Sequence, residues 1–276
     1  MIGNAAELMI PILLAALGGV LSERAGVLNI GLEGLILVGA FGGILGVNLT
    51  TTLLGGLVFG IAMAMILALL YSYASIELRS NIFIAGLATN LLAAGLVPYL
   101  SQLIFHTRGV VRSSSIVGFP RFLGISVAFY LAIGLAVVVH VVLFRTPLGM
   151  RIRALGDGPA ILEARGLSPN RYKRAVMLLS GGFAGLAGAQ MAIRLGVYLP
   201  NISAGRGWIA LVAVFLGLRH PLGVVVAAGI FALFDSFAGA AQGFTEIPGS
   251  LLLGLPYLIT LVAMVVYSAF RRESRV

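Results

Sequence analysis

The sequence has no cysteine, one lysine and one tryptophan, and only 10% of its 276 residues are charged. Without cysteine there can be no disulfide, thiolate metal site or cysteine nucleophile. The three histidines, His106, His140 and His220, lie far apart. No Ser/His pair, His-Glu motif or paired carboxylate stands at catalytic spacing, so neither a metal site nor a catalytic residue is expected. The lone lysine, Lys173, sits in Arg171-Tyr172-Lys173-Arg174, with no glycine run before it and no Ser or Thr after it. That excludes a Walker-type ATPase site. The start, Met1-Ile2-Gly3-Asn4, has no basic n-region and reads as the approach to a retained span, not as a cleaved signal peptide.

What fills the chain is apolar: 60% of its residues, with a mean hydropathy of +1.09. Soluble domains average about 45–50% apolar and about 25% charged. Such a chain takes the bilayer as its solvent, and each span must satisfy its own backbone hydrogen bonds. A β-barrel would need short segments alternating apolar and polar residues. Segments such as 129–144 and 250–270 are apolar on every face instead, so the expected fold is an all-α polytopic membrane protein. Nine apolar segments are expected (eight to ten), near 5–21, 30–47, 51–74, 82–105, 122–144, 175–194, 207–218, 222–238 and 250–270. Segment 207–218 is too short to cross about 30 Å of hydrocarbon and reads as a half-helix or as a piece joined to its neighbour.

The net charge of +9 is concentrated. Seven of the 18 basic residues, Arg145, Arg151, Arg153, Arg165, Arg171, Lys173 and Arg174, lie in 145–174, against Asp157 and Glu163 alone. Arg271, Arg272 and Arg275 end the chain. This is the pattern that keeps loops cytoplasmic, and it speaks for a membrane protein and against a nucleic-acid partner. It places loop 145–174 and the C-terminus in the cytoplasm and the N-terminus outside. Loop 106–121, with Arg108, Arg112 and Arg121, falls outside in that count and fits it least well. Glycine pairs at small-xxx-small spacing, Gly39/Gly43, Gly42/Gly46, Gly56/Gly60 and Gly181/Gly185, predict close helix packing. Few acids lie in or beside the spans: Glu7, Glu33, Asp235 and Glu246. None is central to a long span, which weakens the alternative of an ion- or proton-coupled carrier acting alone. Within 145–174, Pro159–Arg165 reads as a short helix, opened by Pro159 and stopped by Gly166, able to dock into a groove on a partner; an ordinary basic topogenic loop fits the composition equally well.

Three stretches carry a resemblance. Thr146-Pro147-Leu148-Gly149-Met150-Arg151-Ile152-Arg153-Ala154-Leu155-Gly156 with the residues through Leu167 resembles the cytoplasmic loop of ABC-importer permeases of the branched-chain amino acid, ribose and nucleoside group. Ser22-Glu23-Arg24-Ala25-Gly26-Val27-Leu28-Asn29-Ile30-Gly31-Leu32-Glu33-Gly34 resembles the nucleoside-type branch, and 205–217 resembles the segment these permeases place before a late half-helix. The similarity spans almost the whole chain. The chain departs from the ribose-type pattern by starting at what would be the second span.

The resemblance implies a single permease domain over 1–276 with a cytoplasmic coupling loop at 145–174. It implies half of a pore for a small polar solute, first a nucleoside and second a simple sugar such as ribose. Partners would be a second permease (a paralogue or a copy of this chain), an ATPase that binds ATP and Mg on a separate chain, and an extracytoplasmic binding protein or lipoprotein. The location would be a bacterial or archaeal cytoplasmic membrane. This chain itself would hold no cofactor. The expected coupling residues are Asp157, Pro159, Ala160, Ile161, Leu162, Glu163, Ala164, Arg165 and Gly166. Polar groups in spans often mark a path, which makes Asn29, Glu33, Asn90, Ser101, Gln102 and Gln190 candidates, although hydrogen bonding between helices explains each as well. Trp208 and Phe215 could stack on a base, and Trp208 could equally anchor at an interface.

Overall fold

The computed structural model describes residues 2–113, 115 and 118–241. The expected segment 250–270, the basic tail and Glu246 lie outside these residues. The chain is mostly helical: α1 (Ile2–Arg24), α2 (Leu32–Thr50), α3 (Leu53–Ser72), α4 (Ile82–Phe105), α5 (Val127–Arg145), α6 (Pro147–Asp157), α7 (Pro159–Glu163), α8 (Pro169–Leu195), α9 (Arg206–Leu216) and α10 (Pro221–Ala241). A π-helical turn, Tyr73–Glu77, prolongs α3. Seven described helices are long and apolar enough to cross a membrane, and Arg206–Leu216 is a shorter apolar helix, as expected for the half-helix.

Local chemistry sets the boundaries. Side-chain oxygens of Thr52, Asn81, Ser126 and Thr146 cap α3, α4, α5 and α6 by accepting from first-turn N–H groups. Gly196, at φ +67°, ends α8. Three expectations are corrected. Loop 145–174 is largely helical, because Thr146 and Pro147 start α6 and Pro169 starts α8 six residues before the expected 175. Segment 122–144 becomes helical only at Val127, since Arg121–Phe122 (β2) and Ile125–Ser126 (β3) form a hairpin around Leu123 and Gly124, both at positive φ. A second short ladder pairs Val111–Arg112 (β1) with Val197–Tyr198 (β4), tying the loop before α5 to the end of α8. The fold is therefore helical with two minimal ladders, not wholly α.

Helices α1, α2 and α8 are largely buried, whereas α3, α4 and α5 expose apolar faces. The centre of the bundle is built from small residues. A Cβ on Gly39 would lie 2.5 Å from Gly185 Cα, one on Gly43 2.8 Å from Ala189 Cα, and one on Gly60 2.6 Å from the Gly39 carbonyl oxygen. Helices α2, α3 and α8 thus meet backbone to backbone, as the glycine spacing predicts.

One end of the bundle gathers the termini of α1 and α5, the helices α6 and α7 and the start of α8. There the Arg24 Nε donates to the Arg219 carbonyl at 2.7 Å, Arg219 pairs with Glu23 at 3.0 Å, and the Arg24 and Arg153 guanidinium groups lie over the Phe144 ring. His140, Phe144 and His220 stack beside them, with ring centroids 4.9–5.1 Å apart. Burial, then neighbouring His140 and Arg24, lower the pKa of His220. The ladder of β1 and β4 marks the opposite end, where Asn48 also reaches the Arg112 carbonyl.

Candidate functional site: the broken-helix junction

Between α1 and α2 the chain runs irregularly from Ala25 to Gly31, and the backbone it exposes must find partners inside the protein. Asn29 Nδ2 donates to Ser180 Oγ at 2.8 Å, and Asn29 Oδ1 accepts from the Gly31 N–H at 3.1 Å. The Tyr71 hydroxyl donates to the Leu28 carbonyl at 2.9 Å. Asn90, from α4, clamps the start of α2: its Nδ2 donates to the Ile30 carbonyl at 3.0 Å, and its Oδ1 accepts from the Gly34 N–H at 2.8 Å. Three helices therefore supply the hydrogen bonds that this segment cannot make for itself.

The second break lies against the first. Helix α9 begins after Gly205, whose φ of +79° lets the chain turn into it. Glu33, in the first turn of α2, accepts from the Gly205 N–H with Oε1 at 2.8 Å and from the Gly207 N–H with Oε2 at 2.7 Å. Gly207 has no room for a side chain, since a Cβ there would fall 2.5 Å from Glu33 Cα. One carboxylate thus answers the positive ends of two helices, its own and that of α9. Eleven residues of α9 extend about 16 Å, roughly half the hydrocarbon thickness. Beyond Glu33, Arg206 pairs with Asp235 of α10 at 3.7 Å, and Arg194 of α8 with Glu7 of α1 at 3.8 Å.

The structure brings together some of the expected path residues and separates others. Asn29, Glu33 and Asn90 meet at the junction, and Trp208 follows Gly207 there. Phe215 lies near the far end of α9, under the Arg219 guanidinium. Ser101 is buried and donates to the Thr107 carbonyl near the end of α4, while Gln102 is exposed beside it. Gln190 is 2% exposed, and neither of its amide atoms has a hydrogen-bond partner among the described residues. It lines a largely apolar cavity of about 180 Å³ between α1, α3, α5 and α8, with Leu57, Phe119 and Leu131. The residues not foreseen are Tyr71, Ser180 and Arg206; the sequence marks Asp235 only as an acid beside a span. Tyr71 had a signal, the first hydroxyl after the apolar run of α3, which must find an acceptor once buried.

The expected coupling residues lie together at the end of the bundle that carries α6 and α7. Asp157 closes α6, Pro159 to Glu163 form α7, and Ala164, Arg165 and the positive-φ Gly166 follow it. Ile161 is 46% exposed, and Glu163, Ala164 and Arg165 are exposed too. Leu162 differs from the expectation that it fills a partner's groove. It is 2% exposed and packs into this chain's own core, because α7 folds back on α6. Pro147, Met150, Ile161 and Arg165 line a groove of about 190 Å³ between these two helices. On its inner side α6 abuts the irregular segment, where a Cβ on Gly26 would lie 3.2 Å from Gly156 Cα.

The family of branched-chain amino acid transport system permease components matches residues 1–265. The chain belongs to this permease family. The nucleoside ABC transporter permease protein NupC of Lactococcus lactis subsp. cremoris is 31% identical to it over 93% of this chain and 88% of that one. The guanosine ABC transporter permease protein NupQ of Bacillus subtilis is 31% identical over 92% and 87%. Among solved structures, PsaBC from Streptococcus pneumoniae in complex with Fab aligns with a TM-score of 0.55 at 13% identity, over 95% of this chain and 89% of that chain. That likeness is one of fold. Membership of a permease family accounts for a chain with no nucleotide-binding motif of its own.

Proposed function

We propose that this permease forms half of the translocation pore of an ATP-driven importer whose solute is a nucleoside. The second permease, the ATPase holding ATP and Mg, and an extracytoplasmic capture protein are separate chains. The end carrying α6 and α7 faces the cytoplasm and the N-terminus lies outside, an orientation supported by the seven basic residues in 145–174. The observation that carries the reading is the position of α6 and α7. They present Ile161, Glu163 and Arg165 outward, and Gly156 bears on Gly26 in the segment that leads to Asn29 and Glu33. A movement of the ATPase against α7 thereby reaches the broken-helix junction. Glu163 and Arg165 supply charge-assisted contacts and Ile161 an apolar one. Each acid in or beside the described spans is engaged: Glu33 by backbone N–H groups, and Asp235, Glu7, Glu23 and Glu77 by Arg206, Arg194, Arg219 and Arg174 in turn. That leaves no free carboxylate among them to carry a coupling ion.

The complex reconstituted with its ATPase and capture protein is expected to take up labelled nucleoside with ATP inside the vesicles, with unlabelled nucleosides competing and ribose competing weakly. Uptake by this chain alone, driven by an ion gradient, would overturn the reading. Replacing exposed Ala164 by tryptophan is expected to leave insertion and assembly intact, to keep ATP hydrolysis and to cut uptake by more than about tenfold, equivalent to about 1.4 kcal/mol of lost coupling. Normal uptake by A164W removes α7 as the coupling element.

A further inference from the structure

A pocket of about 340 Å³ opens on the basic end of the bundle, at Gly26 and Val27 of the irregular segment, and shares no lining residue with the groove of α6 and α7. Its walls come from the segment after α1 (Gly26, Val27), the end of the prolonged α3 (Ser75, Ile76), the turn into α4 (Arg79, Ile82) and the first turns of α8 (Asn170, Lys173). Two cations and no carboxylate line it. The nearby acid, Glu77, is occupied by Arg174. Arg79 is held in place by its turn: its backbone sits at φ +51°, the N–H and hydroxyl of Ser80 both donate to the Ala74 carbonyl, and Asn81 caps α4. A planar guanidinium and an ammonium facing one space, with an amide from Asn170 beside them, suit the oxygens of a phosphate group. The surroundings indicate which phosphate. Tyr73, Leu78, Phe83 and Ile84, on the elements that flank the pocket, are all more than half exposed. An apolar skirt next to a basic pocket at the ends of membrane-spanning helices matches a headgroup with its acyl chains.

We propose that this pocket binds the phosphodiester headgroup of an anionic phospholipid, with the acyl chains lying along Tyr73, Leu78, Phe83 and Ile84. The site is independent of the transported solute, and its test does not use transport. Native mass spectrometry of the delipidated full-length protein, titrated with phosphatidylglycerol, cardiolipin or phosphatidylcholine, measures it directly. The wild type is expected to retain the two anionic lipids and to bind phosphatidylcholine at least about tenfold more weakly. The double variant R79Q/K173Q is expected to lose this preference. N170W, which fills the pocket and leaves both cations, is expected to lose it too. R165Q/R171Q, which removes two exposed charges from the same end outside the pocket, is expected to keep the lipid preference of the wild type. Inorganic phosphate in excess is expected not to displace the lipid. Retention by both pocket variants, an equal loss in R165Q/R171Q, equal binding of phosphatidylcholine, or displacement by inorganic phosphate would each overturn the proposal.

Discussion

Replacing Glu33 by alanine is expected to abolish uptake and to lower the unfolding midpoint of the purified protein by several degrees. The variant strips the acceptor from the N–H groups of Gly205 and Gly207 at once. A buried N–H left without a partner costs about 1–3 kcal/mol. Two of them amount to about 2–4 kcal/mol here, in the lower part of the range because the carboxylate is only half-buried. Glutamine is the informative comparison. Its oxygen can still accept from one N–H, but its amide N–H₂ opposes the other, and the negative charge that answers two helix ends is gone. E33Q should therefore fall between wild type and E33A in stability. The sole tryptophan, Trp208, lies in the first turn of α9, so its fluorescence reports the event locally. A shifted Trp208 emission in E33A at temperatures where the remaining helices are intact is the expected result. Unchanged emission and an unchanged midpoint would mean that the packing of Gly207 alone holds α9 in place.

The second large effect is expected in the centre of the bundle. Leucine at Gly39 or Gly185 should prevent the protein from reaching its folded state, seen as loss of monodisperse protein after solubilisation. Overpacking a core costs about 1–3 kcal/mol when side chains can yield. At these positions the obstacle is backbone: Gly185 Cα stands 2.5 Å from a Cβ on Gly39, and the Gly60 carbonyl oxygen 2.7 Å from one on Gly185. Three helices would have to separate, so the effect should exceed that range. Gly95 and Gly134 provide the contrast, because a Cβ at either meets nothing within 4 Å. Leucine there should leave folding unchanged. If G39L folded as well as G95L, helices α2 and α8 would not approach as closely as their backbones do here.

These two sites show what could and could not be read from the sequence. The small-residue contacts were legible because glycines four apart share one face of a helix and have one physical use in a membrane. The half-helix was legible as well, since an 11-residue apolar run cannot span the hydrocarbon. The roles of Asn29, Asn90 and Glu33 were legible only as alternatives, substrate contact or hydrogen bonding between helices. Their bonds cross to partners far away in the chain, and no periodicity records such a pairing. Helix α6 was overlooked although its cap was written in Thr146-Pro147, because its polar residues resemble a loop when only hydropathy is weighed. The two-residue strands are too short to produce an alternating pattern. Gln190 was singled out as a polar residue in a span, and the cavity beside it could not be foreseen, since it exists only where four helices fail to fill space.

The clasp between Glu33 and α9 also bears on how the protein is made. The two ends of that clasp are separated by 172 residues of chain. At about 5–20 residues per second, Glu33 leaves the ribosome roughly 10–35 s before its donors do. During that interval the carboxylate stands at the head of α2 without the two N–H groups of α9, and α9, when it arrives, is too short to be held in the lipid by hydrophobicity alone. The arrival of α9 is therefore a docking reaction: a late, half-length helix is accepted into a bundle that already carries the group that captures it.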